Sequence, residues 1–297
     1  MYSIIQKRKI WLSISGALFV AFLAALFIWG FKWGIDFTGG SLLEIRFQGQ
    51  RPTIAEAQNA LSGLNLGSLT VQPAGAQDMI FRFQDTTEQK HQEALAKLKQ
   101  ISKGGLEQLQ FDSVGPSIGQ ELKRKSVYAI FFVFIAIVLY ISFAFRKVSK
   151  PVASWKYGIS ALVAMFHDVI ITLGVFSVLG RFYGVELNSA FVAAVLTVLG
   201  YSVHDTIVVF DRTRENLPKS NEDFAGTVNK SLNQTLGRSI STSLTVLLTL
   251  VAVVIFGGAS IRTFSLALAI GIFIGTYSSI FVASPLLVVW NNWNNNR

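Results

Sequence analysis

The chain has 297 residues, of which 51% are hydrophobic and 14% charged, with no cysteine and a formal net charge of +9. That charged fraction is little more than half of what a soluble globular domain carries, and the mean hydropathy of +0.47 points to lipid as part of the solvent, against a soluble enzyme. The missing cysteine excludes a disulfide scaffold, a cysteine nucleophile and a thiolate metal site.

The first apolar window runs from Ile10 to Trp29, behind the basic run Lys7, Arg8 and Lys9. About 20 apolar residues suffice to cross a bilayer, and no small-residue cleavage site follows, so this is a retained anchor and not a signal peptide. Residues 1–33 form the N-terminus and first span. Residues 34–122 then read as a soluble domain. Ser41 to Phe47 alternates Leu43, Ile45 and Phe47 with Glu44 and Arg46, the period of a half-buried strand. Pro52 and Thr53 open a helix through Leu61, stopped by Gly63. Leu66 to Gln72 and Met79 to Phe83 are two further strands around a turn with Pro73, Gly75 and Asp78. A helix from Thr87 to Ser102 ends at Gly104-Gly105, and Leu106 to Asp112 is the last strand. The order βαββαβ is that of an α+β, ferredoxin-like split unit. His91 is expected on the solvated side of its helix.

Residues 123–290 carry five more windows: Val127 to Phe145, Tyr157 to Leu179, Ala190 to Phe210, Ile240 to Phe256 and Phe264 to Trp290; residues 291–297 form a tail. The fold class is thus an α-helical multi-pass membrane protein with six transmembrane helices and one ferredoxin-like domain between helices 1 and 2. Between Lys32 and Glu121 there are 8 Lys+Arg against 10 Asp+Glu. The positive excess gathers at Lys7 to Lys9, Arg146 to Lys156 and Arg212 to Arg238, which are alternate loops, so the positive-inside rule places both termini in the cytoplasm and the soluble domain outside. Lys123, Arg124 and Lys125 disagree, at the outer end of the second span. The basic balance reads as membrane orientation; no aromatic-interleaved basic patch suggests nucleic acid.

Ionisable residues inside spans are costly and mark function by default. His167 and Asp168 lie in the third span, and His204 and Asp205 in the fourth. Asp168 is 12 residues beyond Lys156, roughly 18 Å deep at helical rise. Arg238, at the inner start of the fifth span, is the cation expected nearest Asp205. Adjacent His-Asp pairs diverge by about 100° and lack the i, i+3 or i+4 spacing of metal ligands, so no metal is expected. Arg212, Arg214 and Glu215 read as an inner-surface charge cluster, and Asp168 also suits satisfying hydroxyls between helices.

Several stretches resemble the SecF members of the SecD/SecF family, within the resistance-nodulation-division superfamily. They are Gly34-Ile-Asp36-Phe-Thr-Gly39-Gly40, Ser113-Val-Gly115-Pro116 with Gly119 and Glu121, Gly200 to Arg212, Arg214 to Asn216, Arg238 to Ser243 and Gly275 to Ser279. The resemblance implies a bacterial inner-membrane subunit, not an enzyme. It would pair with SecD, join the SecYEG channel, with YajC as a further associate, and use the proton motive force to draw out preproteins that SecA has pushed in, a late and SecA-independent step. No cofactor beyond the proton is implied. The family's intramembrane Asp falls on Asp205 and its Arg on Arg238, a proton-relay pair with Asp168 and His204 nearby. His204 stands where the family more often has Asn. Gly34, Asp36, Gly39, Gly40, Gly115 and Pro116 would form the hinges of the outer domain. Two rivals are a small-molecule or lipid exporter of the same superfamily, which calls for a porter domain about three times larger, and a scaffold that transduces no energy.

Overall fold

The computed structural model describes residues 2–144 and 153–295. In chain order the elements are α1 (Arg8–Trp29), α2 (Ile35–Thr38), β1 (Gly40–Phe47), α3 (Ile54–Leu61), β2 (Thr70–Ala74), β3 (Asp78–Phe83), α4 (Glu88–Ile101), β4 (Leu106–Val114) and α5 (Pro116–Ala144). There follow α6 (Ser154–Tyr183), α7 (Ser189–Asn216), α8 (Phe224–Phe256), α9 (Ala259–Ser278), a π-helical turn (Ser279–Ala283) and α10 (Ser284–Asn295). Six helical stretches among the described residues are long and apolar enough to cross a membrane, the last joining α9 to α10 through the π turn. The chain divides into a helical unit, Met1–Lys32 with Tyr128–Arg297, and a mixed unit, Trp33–Val127.

In the mixed unit the strand periodicity does what alternation requires. Leu43, Ile45 and Phe47 of β1 and Met79, Phe81 and Phe83 of β3 all lie 0–4% exposed, and the register pairs Leu43 with Phe81. The sheet order is β2-β3-β1-β4, antiparallel throughout, with α3 and α4 contributing Ala57, Leu61, Ala94 and Leu98 to one core. A capping box starts α3: Thr53 accepts from the Glu56 backbone N–H while the Glu56 carboxylate accepts from the Thr53 N–H.

Three expectations change here. The second strand begins at Thr70 and not Leu66, because Asn65 and Gly67 take positive φ values of 49° and 70° that break an extended run; Leu66 instead plugs the core. Pro73 and Asp78 belong to strands, leaving a shorter turn. His91 is 3% exposed, not solvated. Its ring stacks on Phe111 at 3.6 Å, with Nδ1 3.1 Å from Glu88 and Nε2 3.0 Å from Gln108. Positions 91, 94 and 98 share the sheet-facing side of α4, so His91 occupies a core position whose polar edges are satisfied.

Gly39 and Gly40 have φ of 75° and 121°, and a Cβ on Gly39 would stand 2.7 Å from the Pro116 Cα. The entry and exit of this unit are thus held together where only glycine fits. Pro116 is the first residue of α5, whose fixed φ suits that position, so α5 starts seven residues before the expected 123 boundary. Two of the discordant basic triplet are locally compensated: Lys125 pairs with Glu121 at 2.7 Å, and the Lys123 ammonium sits 4.5 Å from the Trp33 ring centroid.

In the helical unit the spans are not equivalent. The apolar windows of α1, α5 and α8 are only 11%, 6% and 11% buried, whereas those of α6, α7 and α9–α10 are 50–61% buried, so the latter three form the centre. Small residues set the approach. A Cβ on Gly275 would meet Ser202 Cα at 3.2 Å, one on Gly271 would strike the Val198 side chain, and one on Gly174 would meet the Phe22 carbonyl oxygen at 2.7 Å. The expected inner loop from Arg212 to Arg238 is mostly helix. α7 runs to Asn216, and α8 begins at Phe224, capped by the Asp223 carboxylate on the Gly226 N–H at 2.8 Å. Most of the Arg146 to Lys156 loop, up to residue 152, lies outside the described residues, as do Asn296 and Arg297 of the tail; α10 extends through residues 291–295 of that tail.

Two outcomes follow. Gly39→Ala should lower the melting temperature of the mixed unit, with positive-φ backbone strain alone costing about 1–3 kcal/mol; circular dichroism of the purified chain reads it. The paired hydrogen bonds from Arg46 at 2.8 and 2.9 Å hold the Asp78 carboxyl below its ordinary range, against a smaller opposing effect of burial. A depressed folded value gives stability that is present above the unfolded value, about 3.9, and is lost as pH falls through the folded one. Acid melts at pH values falling below about 4 should therefore show a component that Asp78→Asn removes.

Candidate functional site: two carboxyl groups among hydroxyls

Asp168, on α6, is fully buried. Its Oδ2 accepts from Ser202 Oγ of α7 at 2.5 Å and from Ser278 Oγ of α9 at 2.6 Å, and its Oδ1 lies 2.9 Å from His167 Nδ1. One carboxyl group thus joins the three central helices. His167 and Asp168 do not diverge as their 100° offset suggests, because the imidazole folds back onto the neighbouring carboxyl; the ring also stacks on Phe19 of α1 at 6.4 Å. His167 Nε2 is buried and has no hydrogen-bond partner among the described residues.

Asp205 is also buried, at 4% exposure on α7, but is held differently. Its Oδ2 accepts from Thr276 Oγ1 of α9 at a long 3.4 Å. That hydroxyl has nearer neighbours: the Ile272 carbonyl oxygen at 2.9 Å and Ser243 Oγ of α8 at 2.6 Å. Ser243 Oγ in turn lies 3.2 Å from Tyr201 OH. A hydroxyl carries one proton, and the Ile272 carbonyl stands nearer to the Thr276 hydroxyl than Asp205 does, so Asp205 is the less satisfied of the two carboxyls. The hydroxyls Tyr201, Ser243 and Thr276 form a chain across α7, α8 and α9 ending at this group.

Arg238 and His204 are among the charged or titratable neighbours of Asp205, yet neither forms an ion pair with it. Arg238 is exposed, lies within α8 two residues before the apolar window that opens at Ile240, and shares a hollow of about 330 Å³ with Asp211, Arg212, Glu215 and Gln234. His204 faces outward on α7. The charge cluster at the end of α7 is self-paired: Arg212 binds Glu215 at 2.8 Å and Gln234 at 2.7 Å, and Arg214 binds Asp211 at 2.7 Å. Gly34, Asp36, Gly39, Gly40, Gly115 and Pro116 lie in the mixed unit, outside this helical site. Among the described residues no three His, Cys, Asp or Glu side chains are placed to hold a metal ion.

Hydroxyl partners are expected for Asp168, but which residues supply them, and those beside Asp205, escaped sequence reasoning. Their signal is the density of Ser and Thr inside apolar spans, at 202, 206, 243, 276, 278 and 279. The π turn that begins at Ser279 adds to this, for it widens the helix where α9 meets the carboxyls: Ser279 Oγ and Thr206 Oγ1 are 2.9 Å apart, and Ser284 Oγ donates to the Ser279 carbonyl at 3.0 Å.

Residues 93–293 match the family described as protein export membrane protein SecD/SecF, C-terminal, and residues 24–50 match the SecD/SecF GG motif. Among similar proteins, the protein translocase subunit SecF of Thermobaculum terrenum is 44% identical over 98% of this chain and 95% of its own length. That of Anaerolinea thermophila is 37% identical over 99% and 96%. The crystal structure of SecDF, a translocon-associated membrane protein from Thermus thermophilus, superposes with a TM-score of 0.83 at 32% identity, over 98% of this chain. This chain spans 39% of that longer one. The chain belongs to the SecD/SecF family of protein export membrane proteins.

Proposed function

We propose that this chain is the SecF-type subunit of the Sec protein-translocation machinery, that it couples proton entry to export, and that Asp205 carries the proton. The observation that carries this reading is the contrast between the two buried carboxyls. Asp168 has three close partners from its own and two other helices, which suits a fixed tether. Asp205 has one long hydrogen bond, from Thr276, with the Ser243 hydroxyl also close, and the Arg238 guanidinium and His204 imidazole in its surroundings without a closed ion pair. A group so held can gain or lose a proton without dismantling the bundle, and the exchange of partners on doing so moves helices.

The energetics suffice. One charge crossing 100 mV releases roughly 2.3 kcal/mol, and each pH unit adds roughly 1.4 kcal/mol. A proton thus biases a conformational equilibrium of a few kcal/mol.

The rest of the reading follows the family. The mixed unit is a ferredoxin-like split βαβ, supported by its element order and by the β2-β3-β1-β4 sheet. It lies on the outer face of a bacterial inner membrane, with both termini in the cytoplasm, supported by the positive-inside distribution. SecD is its partner within a complex that meets SecYEG, with YajC as a further associate, and the substrates are preproteins delivered by SecA. The glycine junction at Gly39, Gly40 and Gly115-Pro116 is the hinge through which the outer unit moves. The proton is the only coupling ion, and the chain has no catalytic role.

Asp205→Asn should assemble normally, shown by co-purification with the SecD-type partner, yet abolish proton-dependent stimulation of export in reconstituted vesicles; unchanged stimulation would overturn the reading. Asp168 should separate by variant. Asp168→Leu leaves buried hydroxyls unpaired at about 1–3 kcal/mol and should lower thermal stability, whereas Asp168→Asn, which still accepts hydrogen bonds, should keep most of the stimulation.

A further inference from the structure

A cleft of about 580 Å³ opens on the helical unit between the N-terminal segment, α8 and α9. One wall is a stripe of Leu236, Ile240, Leu244 and Leu247, successive apolar positions along α8. Opposite stand Phe273 and Tyr277 of α9, and Trp11 of α1 closes the side. From Leu236 to Leu247 the stripe is about 16 Å long at helical rise, close to one leaflet's half of a hydrocarbon core about 30 Å thick. The end of the cleft beside Leu236 is built by Tyr2 to Ile4, pinned where Asn229 and Asn233 side-chain amides donate to the Tyr2 carbonyl at 3.1 and 2.9 Å. Lys7 lines the same cleft, exposed, and pairs with no carboxylate among the described residues. It opens the basic run Lys7, Arg8 and Lys9.

We propose that this cleft binds one anionic phospholipid, with an acyl chain along the α8 stripe and the phosphate at the Lys7 ammonium. Charge and shape choose this occupant. Apart from the Ser243, Thr276 and Tyr277 hydroxyls the lining is apolar up to the N-terminal end, where the Lys7 ammonium sits, which is the polarity of a lipid and not of a soluble ligand. A transmembrane helix is 10–12 Å across with its side chains and needs a wider trough than a cleft of this volume along about 16 Å. Leu244, Ile240 and Phe273 are 52%, 48% and 60% exposed, so an acyl chain reaches the cleft sideways without a portal. Ser243 and Thr276 belong to the same wall, and these hydroxyls adjoin Asp205. A seated acyl chain therefore keeps water from the Asp205 hydroxyl chain on this side. Lipid binding itself does not depend on Asp205 being a proton carrier, and the test below reads binding alone.

The chain is reconstituted in phosphatidylcholine nanodiscs containing a small fraction of phosphatidylglycerol or phosphatidylcholine brominated on the acyl chain, and the Trp11 contribution is taken as the difference from Trp11→Phe. Brominated phosphatidylglycerol should quench Trp11 at about fivefold lower mole fraction than brominated phosphatidylcholine, the preference one lysine near a membrane surface confers. Lys7→Gln should abolish that preference, and Lys9→Gln should keep it. Equal quenching by the two lipids, a preference that survives Lys7→Gln, or one lost equally in Lys9→Gln would each overturn the site in favour of unspecific lipid contact. Loss of quenching when the SecD-type partner is co-reconstituted would overturn it in favour of a helix–helix interface.

Discussion

The arrangement of the helical unit depends on a buried acid with partners from three sides. Asp168 sits where α6, α7 and α9 converge, and its oxygens receive Ser202, Ser278 and the ring of His167. A carboxyl in an apolar interior is tolerated only when its oxygens are satisfied, so the helices must stand close enough for hydroxyls to reach it. Gly275 provides that closeness, since a side chain there would press on Ser202 itself. Packing and polarity are therefore one constraint: the glycine admits the serine, and the serine satisfies the acid.

Asp205 shows what the same chemistry looks like when it is left incomplete. It is on the same helix as Ser202, one turn away, and also buried, if less deeply than Asp168, yet its donor has a backbone carbonyl at closer range. The division of labour between a tether and an exchangeable group needs no difference in residue type. It comes from how many helices deliver a donor to each carboxyl.

Much of this was legible in the sequence. The six spans were placed by apolar windows, and alternation located Leu43, Ile45, Phe47, Met79, Phe81 and Phe83, because lipid exposure and strand period both act on every residue of a segment. What failed depended on single positions or on partners far along the chain. His91 was misread because a polar type at a core-facing helical position is invisible without its partners Gln108 and Phe111, 17 and 20 residues away. Apolar windows locate the membrane-buried stretch and not the helix, so the start of α8 at Asp223's cap, 15 residues before Arg238, is not read from the window that opens at Ile240. Both intramembrane acids were found by their rarity, but their hydroxyl partners were not, since Ser and Thr within a span carry no period.

The π turn between α9 and α10 has one more consequence. Each such turn accommodates an extra residue, so everything after it is rotated by about 100° relative to an uninterrupted α-helix. Leu287 and Val288, fully buried, owe their inward direction to that phase, while Thr276 and Ser278 keep the phase before it. The turn works as a gearbox between two halves of one rod: it lets the upper half mesh with the acids and the lower half mesh with the apolar core. Deleting a single residue from Ser279–Ala283 would restore a regular helix and disengage one half from its partner.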